Sequence, residues 1–244
     1  MKSSEQAFTF NRMAADEAAK RQFAETGRLR ISDWLGGDGA QRLAAELEQS
    51  DSWREVLNAG EQSYEIDRAG QEALSASDRE RIKLLVQDAA RHGFQYRYET
   101  IRVPDDPLER DLSSSHLTLF ARFMSSPEVL SYLAEITGLA DIDFADAQAT
   151  SYRAGDFLTG HHDAVEGKNR RAAYVLSLSP KWRTEWGGLL MFHSPDGTAG
   201  DYLVPQFNTL NLFAVPQMHS VSQVATFAAN PRRSITGWLR ASRD

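Results

Sequence analysis

The stretch 152–163, YRAGDFLTGHHD, decides how this chain is read. Extended backbone points alternate side chains to opposite faces, so residues two apart share a side. His161 and Asp163 then present an imidazole and a carboxylate together, while His162 points away. One more imidazole from a distant strand would complete a face of two histidines and one carboxylate on a metal. Such a face leaves coordination positions open and suits iron(II) that must also hold small ligands. Taken alone, the triplet is weak evidence, since six histidines and many aspartates produce such a surface pair by accident.

Two later stretches supply partners. PQMHSV (216–221) carries His219 into an alternating segment, and RRSITGW (232–238) follows. In the second, Arg232, Ser234, Thr236 and Trp238 share one strand face. An arginine with a hydroxyl two positions along can hold a carboxylate by a bidentate charged pair plus a hydrogen bond. A dicarboxylate that chelates a metal at one end would meet this arginine at the other. The alternation with Ser234 and Trp238 selects Arg232 over Arg233.

Outward from these stretches the pattern alternates from about residue 145. Strands are expected near 145–153, 171–179, 188–193, 201–205, 209–215, 219–226 and 233–240, with turn signals such as Pro195-Asp196-Gly197 between them. Many short strands at this spacing imply a sandwich or barrel. The earlier part reads as mostly helical. Helices are expected over 14–26, from Asp38 to Gln49, from a cap at Ser77 with Ile82, Leu85, Val86 and Ala89 as its apolar stripe, and over 115–125. Ser126-Pro127-Glu128 opens another, with stripe Val129, Leu130, Leu133 and Ile136, and Gly138 ends it. Residues 29–31 and 94–102 read as strands. The expectation is one domain over 1–244: a mainly helical support region (1–140) and a β core (141–244).

The chain has 244 residues and no cysteine, which excludes disulfides, thiolate metal sites and a cysteine nucleophile. With 27 basic and 34 acidic residues the net charge is −7, which argues against non-specific nucleic-acid binding. The acidity is uneven: residues 1–150 hold 17 basic and 27 acidic side chains, and residues 151–244 hold 10 and 7. A mildly basic β portion fits an anionic ligand there. No apolar run approaches the roughly 18 residues of a membrane helix. MKSSEQAFTF lacks the apolar core of a signal peptide, so a cytoplasmic protein is expected.

The ordered set resembles the 2-oxoglutarate- and iron(II)-dependent oxygenases, in their prolyl-4-hydroxylase-like branch. It comprises Tyr152…Gly155…His161-His-Asp163, Arg170-Arg171, Tyr174-Val-Leu-Ser-Leu178, Trp182, Glu185-Trp-Gly-Gly-Leu189, Leu210-Asn-Leu-Phe213, His219-Ser-Val221 and Arg232-x-Ser-Ile-x-Gly-Trp238. It is similar to prolyl hydroxylases that act on a ribosomal protein, over roughly residues 115–240. The resemblance implies an α+β protein: a double-stranded β-helix, or jelly roll, with a supporting N-terminal helical layer. Carried over, His161, Asp163 and His219 bind iron(II). Arg232 pairs with the distal carboxylate of 2-oxoglutarate, Tyr152 bonds the same group, and Ser234 assists. O2 is the second cosubstrate and ascorbate a reductant. Retention of Asp163 argues for hydroxylation, because halogenating relatives replace it with a small residue. Ser177 stands where some prolyl hydroxylases carry a tyrosine that reaches the cosubstrate.

Three functions follow. The first is hydroxylation of a prolyl residue in a protein or peptide. The second is hydroxylation of a free amino acid or small metabolite. The third is a non-catalytic jelly-roll binding module. No nucleic acid or membrane partner is expected, and no feature selects an oligomeric state. His92, His116 and His193 read as exposed, Trp182 and Trp186 as loop packing, and Trp238 as core. Residues 164–169 read either as a lid or as an ordinary loop.

Overall fold

The computed structural model describes residues 7–12 and 16–241. The expected start of the first helix at Ala14 and Ala15, and most of MKSSEQAFTF, lie outside the described residues. In chain order the elements are α1 (Asp16–Thr26), β1 (Arg28–Ile31), α2 (Gly39–Gln49), β2 (Arg54–Ala59), β3 (Gln62–Ile66), α3 (Arg68–Ala73), α4 (Ala76–Ala89), β4 (Tyr96–Arg102), α5 (Pro107–Asp111), α6 (His116–Met124) and α7 (Pro127–Thr137). There follow β5 (Phe144–Ala145), β6 (Gln148–Tyr152), β7 (Phe157–His161), β8 (Arg170–Ser177), β9 (Leu190–His193), β10 (Gly200–Leu203), β11 (Thr209–Ala214), β12 (His219–Val221) and β13 (Arg232–Arg240).

Local chemistry explains the helix ends. The Ser126 hydroxyl accepts from the Val129 amide, Pro127 sits in the first turn, and Gly138 closes α7 in the left-handed conformation at φ +74°. Val129, Leu130, Leu133 and Ile136 are buried, as their spacing demands. Glu46 of α2 caps α6 from outside, accepting from the His116 and Leu117 amides at 2.6 and 3.0 Å. His116 is therefore a paired residue and not a freely solvated one.

The strands run β1-β11-β8-β13-β6-β4-β7-β12-β9-β10, with every pair antiparallel. β4 is the corner. Its Glu99–Arg102 pair with β6, while Tyr96 and Arg97 pair with Leu158 and Phe157 of β7. The sheet curls there, so the β7-β12-β9-β10 half faces the longer half.

Alternation then divides the longer half. Tyr174 and Leu176 of β8, Leu210 and Leu212 of β11, and Ile235 and Leu239 of β13 are buried in one cluster with Phe120, Met124 and Leu133 of the helices. Residues in between face the interior of the curl. There Ala173, Val175 and Phe213 meet Leu190 and Phe192 of the opposing half. The helices thus brace one face and leave the other free to line a cavity.

Several expectations need correction. The α4 cap is Ser75, whose hydroxyl accepts from the Asp78 amide, and not Ser77. α4 ends at Ala89, and Leu85 is 64% exposed, so only Val86 of the proposed stripe is fully buried. Asp38 precedes α2 but makes no cap bond; its carboxylate takes Arg42 instead. The hairpin β2–β3 lies outside the expected strands, and β12 stops at Val221, short of the expected strand end near 226.

Candidate active site

His161 ends β7 and His219 begins β12, and the two are Cα partners in the antiparallel register. Their ring centroids lie 4.1 Å apart. Asp163 lies two residues beyond His161, just past the strand end, rather than within a strand as the sequence pattern suggested. Its carboxylate is 3.6 Å from His161 Nε2 and 3.4 Å from His219 Nε2. One donor atom from each residue lies within 4.8 Å of the others.

The donor chemistry fits a divalent metal. His161 Nδ1 donates to the Thr159 carbonyl at 3.0 Å and His219 Nδ1 to the Gln217 carbonyl at 2.8 Å. A carbonyl only accepts, so each ring carries a proton on Nδ1, which leaves Nε2, the atom turned toward Asp163, as the one able to ligate a metal. Burial, with the neighbouring His161, pushes the His219 imidazole down to about 4 and keeps it neutral. Burial works to raise Asp163, but the adjoining His161 and His219 rings outweigh it and hold the carboxyl below its usual value. Two neutral imidazoles and one carboxylate are the form a metal requires.

These groups line a cavity of about 640 Å³. Arg232 also lines it and is 3% exposed. Its Nη1 donates to Ser234 Oγ at 3.2 Å, its guanidinium lies 5.2 Å from the Tyr152 ring centre, and its Nε has no hydrogen-bond partner. Among the described residues no carboxylate pairs with it. A buried cation without a counter-charge is costly, so the position fits the distal carboxylate of a dianionic ligand. Ser234 bonds Thr150 at 2.9 Å, and Ser177, its register partner on β8, is buried with a free hydroxyl oxygen. Arg233 emerges on the other face, 4.0 Å from Glu48.

Features absent from the sequence reading complete the wall. Phe94, Tyr96 and Tyr98 line the cavity, and successive rings from Phe94 to Tyr152 are 5.1–5.7 Å apart. Their alternation was legible; that β4 forms the corner of the curl was not. Trp238 is half-buried and lines the cavity, with the Arg170 guanidinium 3.4 Å above its ring, so it is more than core. His162 is exposed at the mouth. His193 bonds Ser220 at 2.8 Å. Beside Tyr152, Arg153 lies 3.1–3.6 Å from the buried carboxylates of Glu55, Glu99 and Asp156, tying β2 and β4 to the turn before β7.

Residues 147–240 match the family model of the 2OG-Fe(II) oxygenase superfamily. Prolyl 3-hydroxylase sudestada1 of Drosophila melanogaster is 32% identical over 125 residues, covering 46% of this chain and 23% of that protein. Prolyl 3-hydroxylase OGFOD1 of Xenopus laevis is 33% identical over 115 residues, covering 44% of this chain and 22% of that protein. The matched part is thus less than a quarter of either relative. A Pseudomonas putida prolyl-4-hydroxylase superposes with TM-score 0.58 at 18% identity, over 93% of this chain and 100% of that one. A Trichoplax adhaerens prolyl hydroxylase, in complex with a hypoxia inducible factor oxygen degradation domain peptide fragment, gives 0.57 at 15% identity, over 93% and 89%. At these identities the likeness is one of fold, and the double-stranded β-helix expectation is borne out. So is the resemblance to 2OG-Fe(II) oxygenases of the prolyl hydroxylase kind. The superfamily's cofactors are iron(II), 2-oxoglutarate and O2, and the His–Asp–His set suits that iron. Among the described residues no helix is long and apolar enough to cross a membrane.

Proposed function

We propose that this chain is an iron(II)- and 2-oxoglutarate-dependent hydroxylase of a prolyl residue in a protein or peptide. The carrying observation is one cavity with His161, Asp163 and His219 in one part and the unpaired cation of Arg232 in another. The bound iron and 2-oxoglutarate supply the oxidising chemistry: with O2, a C–H bond becomes an alcohol while 2-oxoglutarate becomes succinate and CO2. The protein's part is to hold and orient. His161, Asp163 and His219 hold iron(II) on one face and leave the other side for ligands. Arg232 fixes the distal carboxylate, with Ser234 setting the guanidinium and Tyr152 offering its hydroxyl. Burial raises the Tyr152 phenol far above its ordinary value, so it stays a neutral donor.

The substrate reading rests on the mouth. Phe94 is 50% exposed, Val165 50% and Met218 44%, and all three line the same cavity as the metal set. Exposed apolar groups rimming a cavity suit a chain that extends beyond it more than a free amino acid. The peptide-bound Trichoplax neighbour and the prolyl 3-hydroxylase relatives support this choice. The sequence likeness to prolyl 3-hydroxylases supports C3 as the position hydroxylated. Ascorbate as the reductant and a cytoplasmic location belong to the same reading.

The test is mass spectrometry on a proline-containing peptide library incubated with protein, iron(II), 2-oxoglutarate and O2. Hydroxyproline formed only with 2-oxoglutarate supports the proposal. Oxygen added to free amino acids or to residues other than proline would overturn the substrate assignment.

A further inference from the structure

The segment Trp182–Leu189 carries two tryptophans and two adjacent glycines that neither the metal nor the cosubstrate reading uses. It is tightly stitched. Trp182 Nε1 donates to the Gly187 carbonyl at 2.9 Å, the Gly188 amide to Ser222 O at 3.2 Å, and the Ala225 amide to Trp186 O at 2.9 Å. Gly188 is buried with φ +61°. A Cβ there would lie 2.9 Å from Arg232 Cδ, 3.2 Å from Val224 Cγ2 and 3.3 Å from Trp182 Cζ2. The Arg232 stem therefore passes directly over the glycine, beside Val224 and the Trp182 indole.

From this geometry we propose that Gly188 and Trp182 brace Arg232 and so set the affinity for the cosubstrate's distal carboxylate. The inference rests on the cosubstrate reading of Arg232 given above. The guanidinium has few other restraints: one bond to Ser234 Oγ and the face of the Tyr152 ring. A long side chain without an ion-pair partner keeps its bidentate geometry only if its stem is confined. Gly188 supplies the clearance, and Trp182 closes the space beside it. Both are positioning residues, since neither lines the cavity. This gives the Glu185-Trp-Gly-Gly-Leu189 motif a role that loop packing alone does not require.

The test uses the full chain loaded with redox-inert Mn(II), with 2-oxoglutarate and oxalate titrated by calorimetry. Oxalate chelates the metal but has no distal carboxylate. Gly188→Ala pushes the stem off its rotamer, so the 2-oxoglutarate Kd rises about tenfold. The Kd values for oxalate and Mn(II) stay at the wild-type level. Gly197→Ala controls for backbone strain, since Gly197 has φ +70° and open space around it, and it leaves all three constants unchanged. Should Gly188→Ala fail to fold, Trp182→Phe reads the same brace: it loses the bond to Gly187 and weakens 2-oxoglutarate selectively. Unchanged 2-oxoglutarate binding in the folded variants overturns the brace, as does equal weakening of 2-oxoglutarate and oxalate. Wild-type protein that binds Mn(II) but not 2-oxoglutarate overturns the cosubstrate reading itself, and the brace with it.

Discussion

His161 and His219 face each other across β7 and β12 as register partners, and each gives its Nδ1 proton to the carbonyl two residues before it, Thr159 or Gln217. The same local device on two strands fixes both tautomers before any metal arrives.

The first prediction follows from that arrangement. Asp163→Ala leaves two imidazoles and no compensating charge. Loss of groups merely supporting a ligand costs about 10- to 100-fold in metal affinity, so loss of this ligand should cost about 100-fold or more. Calorimetric Mn(II) titration checks it, with His162→Ala, at the exposed mouth, keeping its affinity.

Arg232 and Arg233 are adjacent but lie on opposite faces, one buried in the cavity and one near Glu48. Arg232→Ala removes the charged anchor and should weaken 2-oxoglutarate about 10- to 100-fold. Arg233→Ala should leave it near wild type. The reverse order would place the anchor on the wrong residue.

Gly237 has no room for a side chain. An added Cβ would overlap the Asp146 carbonyl and sit 2.7 Å from Tyr174 Oη, which itself donates to that carbonyl. Gly237→Ala should lower unfolding stability by about 3 kcal/mol through overpacking of β13. Denaturant titration measures it; a change within experimental error would mean the strand relaxes freely.

The alkaline limb of stability has a named source. Burial pushes the Tyr98 phenol up to about 12 and also raises those of Tyr152 and Tyr174 well above their ordinary value. A raised phenol is neutral in the fold, so its contribution is intact below the unfolded value of about 10 and is lost as pH rises through the folded one. Absorbance titration should show late phenols ionising with unfolding, and Tyr98→Phe should extend stability toward higher pH.

Much of this site could be read from the sequence because its members carry charge or metal-binding atoms at strand spacing. Alternation put His161 with Asp163 and Arg232 with Ser234, and the family resemblance picked His219 from the remaining histidines. What escaped was set by three-dimensional context. β3 is exposed along most of its length, so QSYEI shows no apolar period and its hairpin with β2 left no signal. The run Ser75-Ala-Ser-Asp78 offers two hydroxyls for one helix end, and the first takes the Asp78 amide. Phe94, Tyr96 and Tyr98 alternate visibly, yet only the curl at β4 turns them into the cavity that His161, Asp163 and His219 line. Gly188 gave no signal beyond its motif, since the Arg232 stem it clears comes from a distant strand.

The central claim is that one cavity holds iron(II) at His161, Asp163 and His219 and 2-oxoglutarate between that iron and Arg232. Anaerobic visible absorption tests it most directly. Addition of 2-oxoglutarate to the iron(II)-loaded protein should produce a metal-to-ligand charge-transfer band that saturates for the wild type and requires far more cosubstrate for Arg232→Ala. No band in the wild type, with iron bound, would contradict the account.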